Sequence, residues 1–400
     1  MALLVAALPA LATPAGAAPS PTTPSGAASA GIAPDAAAVA NIAVPAPEWG
    51  ALFERRSGWT GADGIYSIPL SGNERPGSGA ATRTFFTFSD TFIGQVNAAG
   101  ERVSGATLVN NTNALLAGSD PDPAEIDFFW RTSASGSPMA QVIPQPPTGT
   151  RTWFWPNDGI VVDGRLYLFS LRMKEGGDPV FIFAVDGVSL LRTASAAPPF
   201  GTYQQTDAPL YLPPAGSRGE TTYGMAVLPN TQAAGAPQAD GYLYVYGVRN
   251  DSNNKKLVVA RVLPGQIANF SAYRFWSSGT WSTSIAAATP VTGRISSEFS
   301  VSPLPDGRYI LVFQLDTLSN KVAVRYADTP VGPWSDFTVV YTAPESGISP
   351  NTYTYNAKAH PHLSTPDRLL ISYNVNIFDF FEHFSNADIY RPRFIWLPQS

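Results

Sequence analysis

The sequence predicts an all-β fold, a five-bladed β-propeller with four-stranded antiparallel blades. Three observations lead there: one strand segment recurs five times, an Asp-Gly turn usually introduces it, and no helical periodicity of useful length separates the copies. The copies are "TRTFFTFSDTF" (82–92), "DGRLYLFSLR" (163–172), "DGYLYVYGVR" (240–249), "DGRYILVFQLD" (306–316) and "PDRLLISYNVN" (366–376). They stand roughly 60 to 80 residues apart, a period that a two-sheet sandwich would not maintain.

The N-terminus comes first in chain order. An apolar run followed by Ala15-Gly16-Ala17 reads as a signal peptide over 1–18, although no basic residue precedes Arg55. Residues 19–47 are rich in Pro, Ala, Ser and Thr and read as a linker, leaving 48–400 as the propeller domain. Each repeated segment is then paired with a preceding first strand: "GADGIYSIPL" (61–70), "WPNDGIVV" (155–162), "TYGMAVLPN" (222–230), "EFSVSPLP" (298–305) and "HPHLSTP" (360–366). Segments such as "KLVVARVL" (256–263) and "KVAVRYAD" (321–328) supply the outer strands. The stretch "WGALFERR" (49–56) is expected to join the last blade beside "RPRFIWLP", closing the ring and removing open edges.

Composition narrows the function classes. Of 400 residues, 44% are hydrophobic and 12% aromatic, enough for a large core. A net charge of −5 without any Lys/Arg run excludes a phosphate-neutralising surface, so nucleic acid is not an expected partner. With zero Cys there is neither a disulfide nor a thiolate metal site. No stretch beyond the signal is long enough to span a membrane, and the protein is expected to be secreted and monomeric. His360, His362 and His383 lack close ligand spacing except in "HPH", where the proline limits how both rings could face one metal, so neither metal nor cofactor is expected.

The chemistry is sought in carboxylates. In a propeller the start of the first strand and the end of the second meet on one rim. Asp63, Asp158, Tyr223, Glu298 and His360 fall at the first position, and Asp90, Arg172, Arg249, Asp316 and Asn376 at the second. Continuing the strand through residue 92 sets Asp90 on one face with Phe86, Phe88 and Phe92, where an unpaired charge costs several kcal/mol. Such a setting raises a carboxyl pKa and suits a general acid, with Asp63 as the partner carboxylate. Asp63, Asp90 and Glu298 are therefore the catalytic candidates. Trp59, Trp155, Asp158, Tyr223, Arg172, Arg249 and His360 are candidates for holding a sugar, whose C–H faces stack on aromatic rings.

The motifs "GWTGADGIYSIPL", "FTFSDTFIG", "SSEFSV" and "YNAKAHPHLS" resemble five-bladed propeller families labelled as domains of unknown function and related to the bacterial endo-D-arabinanases of glycoside hydrolase family 183. The resemblance spans about residues 48–400. It implies a secreted glycosidase acting on a furanosidic, arabinan-like polysaccharide, with Asp63 and Asp90 as the paired catalytic aspartates. Ser89 stands where the family motif usually has Gly, and "SGNERPGSGAA" widens the gap between the aspartates, which points to a sister family. The competing expectation is a lectin-like propeller that binds carbohydrate without cleaving it. A lectin would repeat its binding residues in every blade, whereas the residues at the first position all differ.

Overall fold

The computed structural model describes residues 38–145, 151–176, 182–251 and 254–399, and they form an all-β structure. The signal peptide and most of the linker expected from the sequence lie outside the described residues. Five sheets follow one another along the chain. The first contains Tyr66–Pro69, Arg83–Phe88, Thr112–Ala117 and Ile126–Phe129, and the second Thr152–Val162, Arg165–Glu175, Phe183–Arg192 and Gln204–Ala208. The third is built on Glu220–Asn230, Tyr242–Asp251 and Asn254–Val262, the fourth on Phe299–Pro303, Tyr309–Gln314, Lys321–Ala327 and Thr338–Thr342. The fifth joins Thr352–Ala359, Arg368–Ile377 and Arg393–Pro398.

Strand number is not uniform as the sequence suggested. The third sheet has six strands and the fourth has five, and a separate three-stranded sheet pairs Ser57–Ala62 with Thr91–Gln95 and Thr107–Val109. Neighbouring sheets meet along their first strands, from Tyr66–Pro69 through Thr152–Val162, Glu220–Asn230 and Phe299–Pro303 to Thr352–Ala359. The cycle returns to the first sheet through side chains: His360 Nδ1 lies 2.6 Å from Ser67 Oγ, and its ring packs between Phe86 and Phe394.

Two sequence expectations are corrected here. Closure uses Val44–Pro45, which pairs antiparallel with Arg393–Pro398, while "WGALFERR" begins as the short helix Pro47–Ala51 with Trp49 buried beneath it. Pro47 at the helix start cannot donate to a ladder, which favours a helical first turn. The segment read as linker thus supplies sheet strands from residue 38 onward.

The second correction concerns the fifth repeat. Its first strand is Thr352–Ala359, so His360 follows that strand instead of opening one, and Pro361–Leu363 form a 3-10 turn. Pro361 lacks the N–H that would extend the ladder. The Asp163-Gly164 turn does join its two strands as expected, with both residues at positive φ (48° and 70°), the conformation a two-residue hairpin turn requires.

Three first strands carry the same irregularity. Pairing skips two residues between Pro156 and Gly159, between Tyr223 and Ala226, and between Tyr355 and Lys358. A bulge of this kind breaks the alternation and re-aims the side chains beside it. The skipped residues are Asn157 and Asp158, Gly224 and Met225, and Asn356 and Ala357, with Lys358 the first residue paired again in the fifth sheet.

Candidate active site

Asp63 and Asp90 are brought together by backbone before their side chains are considered. The strand Arg83–Phe88 ends two residues before Asp90, and the chain bends at Ser89–Asp90 into Thr91–Gln95 of the separate sheet. Asp63 N–H donates to the Asp90 carbonyl (3.2 Å), and Ser89 N–H donates to the Asp63 carbonyl (2.9 Å). Gly64 makes this closeness possible: its φ is +61°, and a Cβ there would lie 2.6 Å from Ser89 Oγ. Asp90 therefore does not share a strand face with Phe86, Phe88 and Phe92. Phe86 and Phe88 are fully buried in the core, and Phe92 belongs to the other sheet, packed on His383 and Tyr390.

Both carboxyl groups are half-buried. Desolvation and the neighbouring Asp90 push Asp63 up to about 7, against the pull of the Tyr355 hydroxyl, which donates to Asp63 Oδ2 at 2.7 Å. Desolvation pushes Asp90 up to about 6. Two donors hold it lower: Trp155 Nε1 at 3.0 Å and Asn110 Nδ2 at 3.1 Å, both on Oδ1.

Glu298 and Asp158 are held in different ways. Glu298 accepts a 2.6 Å ion-paired hydrogen bond from Lys358 Nζ, whose side chain is only 1% exposed and lies 4.2 Å from the centre of the Tyr66 ring. Its charge also bears on Asp63 and raises the pKa there. Asp158 sits in the bulge of its strand and accepts from the N–H of Gly159 (2.8 Å) and of Val227 in the next sheet (2.7 Å). Desolvation raises it to about 7 despite those bonds. A cavity of about 30 Å³ has Tyr66, Glu74, Asp158, Ser300 and Lys358 among its lining residues, room for about one water molecule. Among the described residues no three His, Asp or Glu side chains are grouped to hold a metal ion.

The remaining candidates separate. Trp155 is half-buried beside Asp90, its ring against Trp153 and Phe183. Trp59 is buried among Phe53, Phe88 and Phe128, and Tyr223 is buried against Phe275, so neither offers a surface to a ligand. Arg172 is held by Asp186 and Asp207 of its own sheet, and Arg249 by Asp251. His360 is fully enclosed between Ser67 and Ser372, and burial holds it well below its ordinary pKa, as a neutral hydrogen-bonding group. Sequence reasoning missed Tyr355, Asn110, Tyr66 and Lys358. The alternation in "TYTYNAKA" is the signal for the strand that carries Tyr355 and Lys358, and a lone Lys beside its apolar end is the signal for a buried charge partner.

Fold and site together define an all-β protein whose successive sheets meet along their first strands, with two backbone-paired aspartates of raised pKa. The chain belongs to the family described as "Domain of unknown function (DUF5005)", which it matches over residues 47–399. No curated protein matches its sequence. Among solved structures, a Bacteroides ovatus protein classed provisionally as a hydrolase superposes with a TM-score of 0.68 at 19% identity, over 88% of this chain and 89% of that one. Two others overlap more loosely. The α-L-arabinofuranosidase of Podospora anserina has a TM-score of 0.43 at 13% identity, covering 91% of this chain and 96% of that one. A GH43_1 enzyme from Xanthomonas citri has a TM-score of 0.45 at 13% identity, covering 90% of each chain.

Proposed function

We propose that the protein is a secreted glycoside hydrolase that cleaves a furanosidic, arabinan-like polysaccharide at the mouth of a five-bladed propeller. The juxtaposition of Asp63 and Asp90 carries this reading: two carboxyls joined through their backbones, both with raised pKa. Glycoside hydrolysis needs one carboxyl to protonate the leaving oxygen and a second to act as base or nucleophile. Asp90 receives two N–H donors, which favour its anion, while Asp63 receives Tyr355 and faces the charges of Asp90 and Glu298. Asp63 is then the acid and Asp90 the base or nucleophile, the reverse of the roles that the Phe-rich strand suggested. Trp155 offers a ring beside Asp90, and the tilted Tyr353–Phe378 pair, with ring centres 4.4 Å apart, offers another near Asp63. The motif resemblance supplies the substrate class.

The deciding experiment incubates the purified protein with arabinan, arabinogalactan and other polysaccharides and analyses the products. Release of arabinose-containing oligosaccharides is the expected result. Binding without cleavage would replace the reading with a lectin-like one.

An acid that must be protonated and a base that must be ionised give a bell-shaped profile of kcat/KM against pH. Its limbs are expected near the pair's values of about 6 and about 7. Trp155→Phe removes one of the two donors to Asp90, so the acidic limb should move up and the bell should narrow. An unmoved limb would mean that Asp90 is not the group titrating there.

A further inference from the structure

We infer that His383 and Asn376 are positioning residues that aim the Tyr355 hydroxyl proton at Asp63, and that this relay sets how readily Asp63 releases its proton in the proposed hydrolysis. The inference rests on the proposed function for its catalytic meaning, but the relay itself is read from hydrogen-bond donors. Ile377 N–H donates to Asn376 Oδ1 at 2.7 Å. A backbone N–H can only donate, so the atom facing it is the amide oxygen, and Asn376 Nδ2 must face the Tyr355 oxygen, 3.0 Å away. With its lone pair engaged by that donor, the Tyr355 hydroxyl has its single proton free to point at Asp63 Oδ2, at 2.7 Å. His383 sets Nε2 2.8 Å from Asn376 Oδ1 and Nδ1 2.9 Å from the Phe380 carbonyl; both partners are acceptors and a neutral imidazole carries one N–H, so it is the Nε2–H tautomer that adds a second donor to the amide.

The separate three-stranded sheet holds the far end of the relay. Arg102, buried between two of its strands, donates from its guanidinium to the His383 carbonyl and from its backbone N–H to the Phe384 carbonyl (2.8 Å), clamping the short helix Glu382–Ser385. The His383 ring is enclosed by Phe92, Phe380 and Tyr390. No requirement of sheet packing dictates a Tyr hydroxyl, an amide and an imidazole in one hydrogen-bonded line. Their effect is chemical: burial, Asp90 and Glu298 retain the proton on Asp63, and a donor directed at Oδ2 stabilises the carboxylate left when it departs. Asp63 is faced by Asp90 from the bend, Glu298 from the fourth sheet, Tyr353 and Tyr355 from the fifth, and Tyr390 from the segment before the last strand. Arg102 and Asp379 face His383.

The test is carboxyl carbon-13 NMR titration of the substrate-free protein, with Asp63 assigned through Asp63→Asn and Asp158 followed as an internal control. Tyr355→Phe is expected to raise the Asp63 midpoint by about one pH unit, and Asn376→Ala and His383→Ala by about half as much. His383→Gln keeps an N–H for Asn376 and should restore the wild-type midpoint. The alkaline limb of kcat should move with the NMR midpoint in each variant. An Asp63 midpoint unmoved in Tyr355→Phe and Asn376→Ala, with the Asp158 signal intact, would overturn the relay. A variant that fails to fold would show as loss of the Asp158 signal, and His383→Ala against His383→Gln would then decide: a midpoint unmoved in both would overturn the relay. If the midpoints move as expected but the wild type cleaves no furanoside, the relay stands and the hydrolase reading falls.

Discussion

Asp63→Asn and Asp90→Asn are each expected to lower kcat by about 100- to 10,000-fold and, at the same time, to raise the melting temperature at pH 8. The two effects have one cause. A carboxyl whose folded pKa lies above its unfolded value binds more protons in the folded state, so stability falls as pH rises from about 4 toward the folded value. For Asp63 that window runs from the ordinary 3.8 to about 7. One pKa unit corresponds to about 1.4 kcal/mol, and the coupling and partial solvent contact of the pair reduce the sum, so roughly 2 kcal/mol should be regained at pH 8 when the charge is removed. Asn retains an acceptor for Tyr355 and adds no buried charge. At pH 4 the wild type and the variants should melt together. A variant that melts well below wild type at pH 8 would show that the carboxylate holds the bend at Ser89–Asp90 and is not kept for chemistry.

Lys358→Met is expected to destabilise the protein by about 3–5 kcal/mol, because it leaves Glu298 ionised and nearly enclosed without its partner. The Glu298 side chain is 14% exposed and the Lys358 side chain 1%. The substitution also removes the ammonium from the Tyr66 face. Adding Glu298→Gln to Lys358→Met should recover most of the loss, since the penalty comes from the uncompensated charge rather than from the missing pair. Urea denaturation of the two single variants and the double variant measures this directly. If the single Lys358→Met variant unfolds at the wild-type midpoint, Glu298 is better solvated than its surroundings imply.

Much of the fold was legible because repetition and alternation are local. The Asp-Gly turn at 163–164 and the strands at 165–175, 242–251 and 309–314 follow from side-chain period and turn chemistry alone. Asp63 and Asp90 were legible as polar residues at strand ends near Gly. The strand of the fifth repeat at 368–377 was legible too, but the first strand beside it was not, because Thr352–Ala359 carries its alternation across a two-residue bulge and so hides the break behind ordinary strand residues. The more conspicuous "HPH" drew the assignment instead, although proline ends the ladder there.

What the sequence by itself determined is an all-β chain with few charges, no cysteine chemistry, and acidic side chains held at the ends of apolar strands. Each of these depends on residue type and near neighbours. Tertiary structure alone decided what surrounds each aspartate. Trp155 and Asn110 donate to Asp90 and Tyr355 donates to Asp63, partners 20 to 292 residues away along the chain. A carboxyl's pKa is set by burial and by the donors aimed at it. Those are properties of assembled sheets, which no single strand carries.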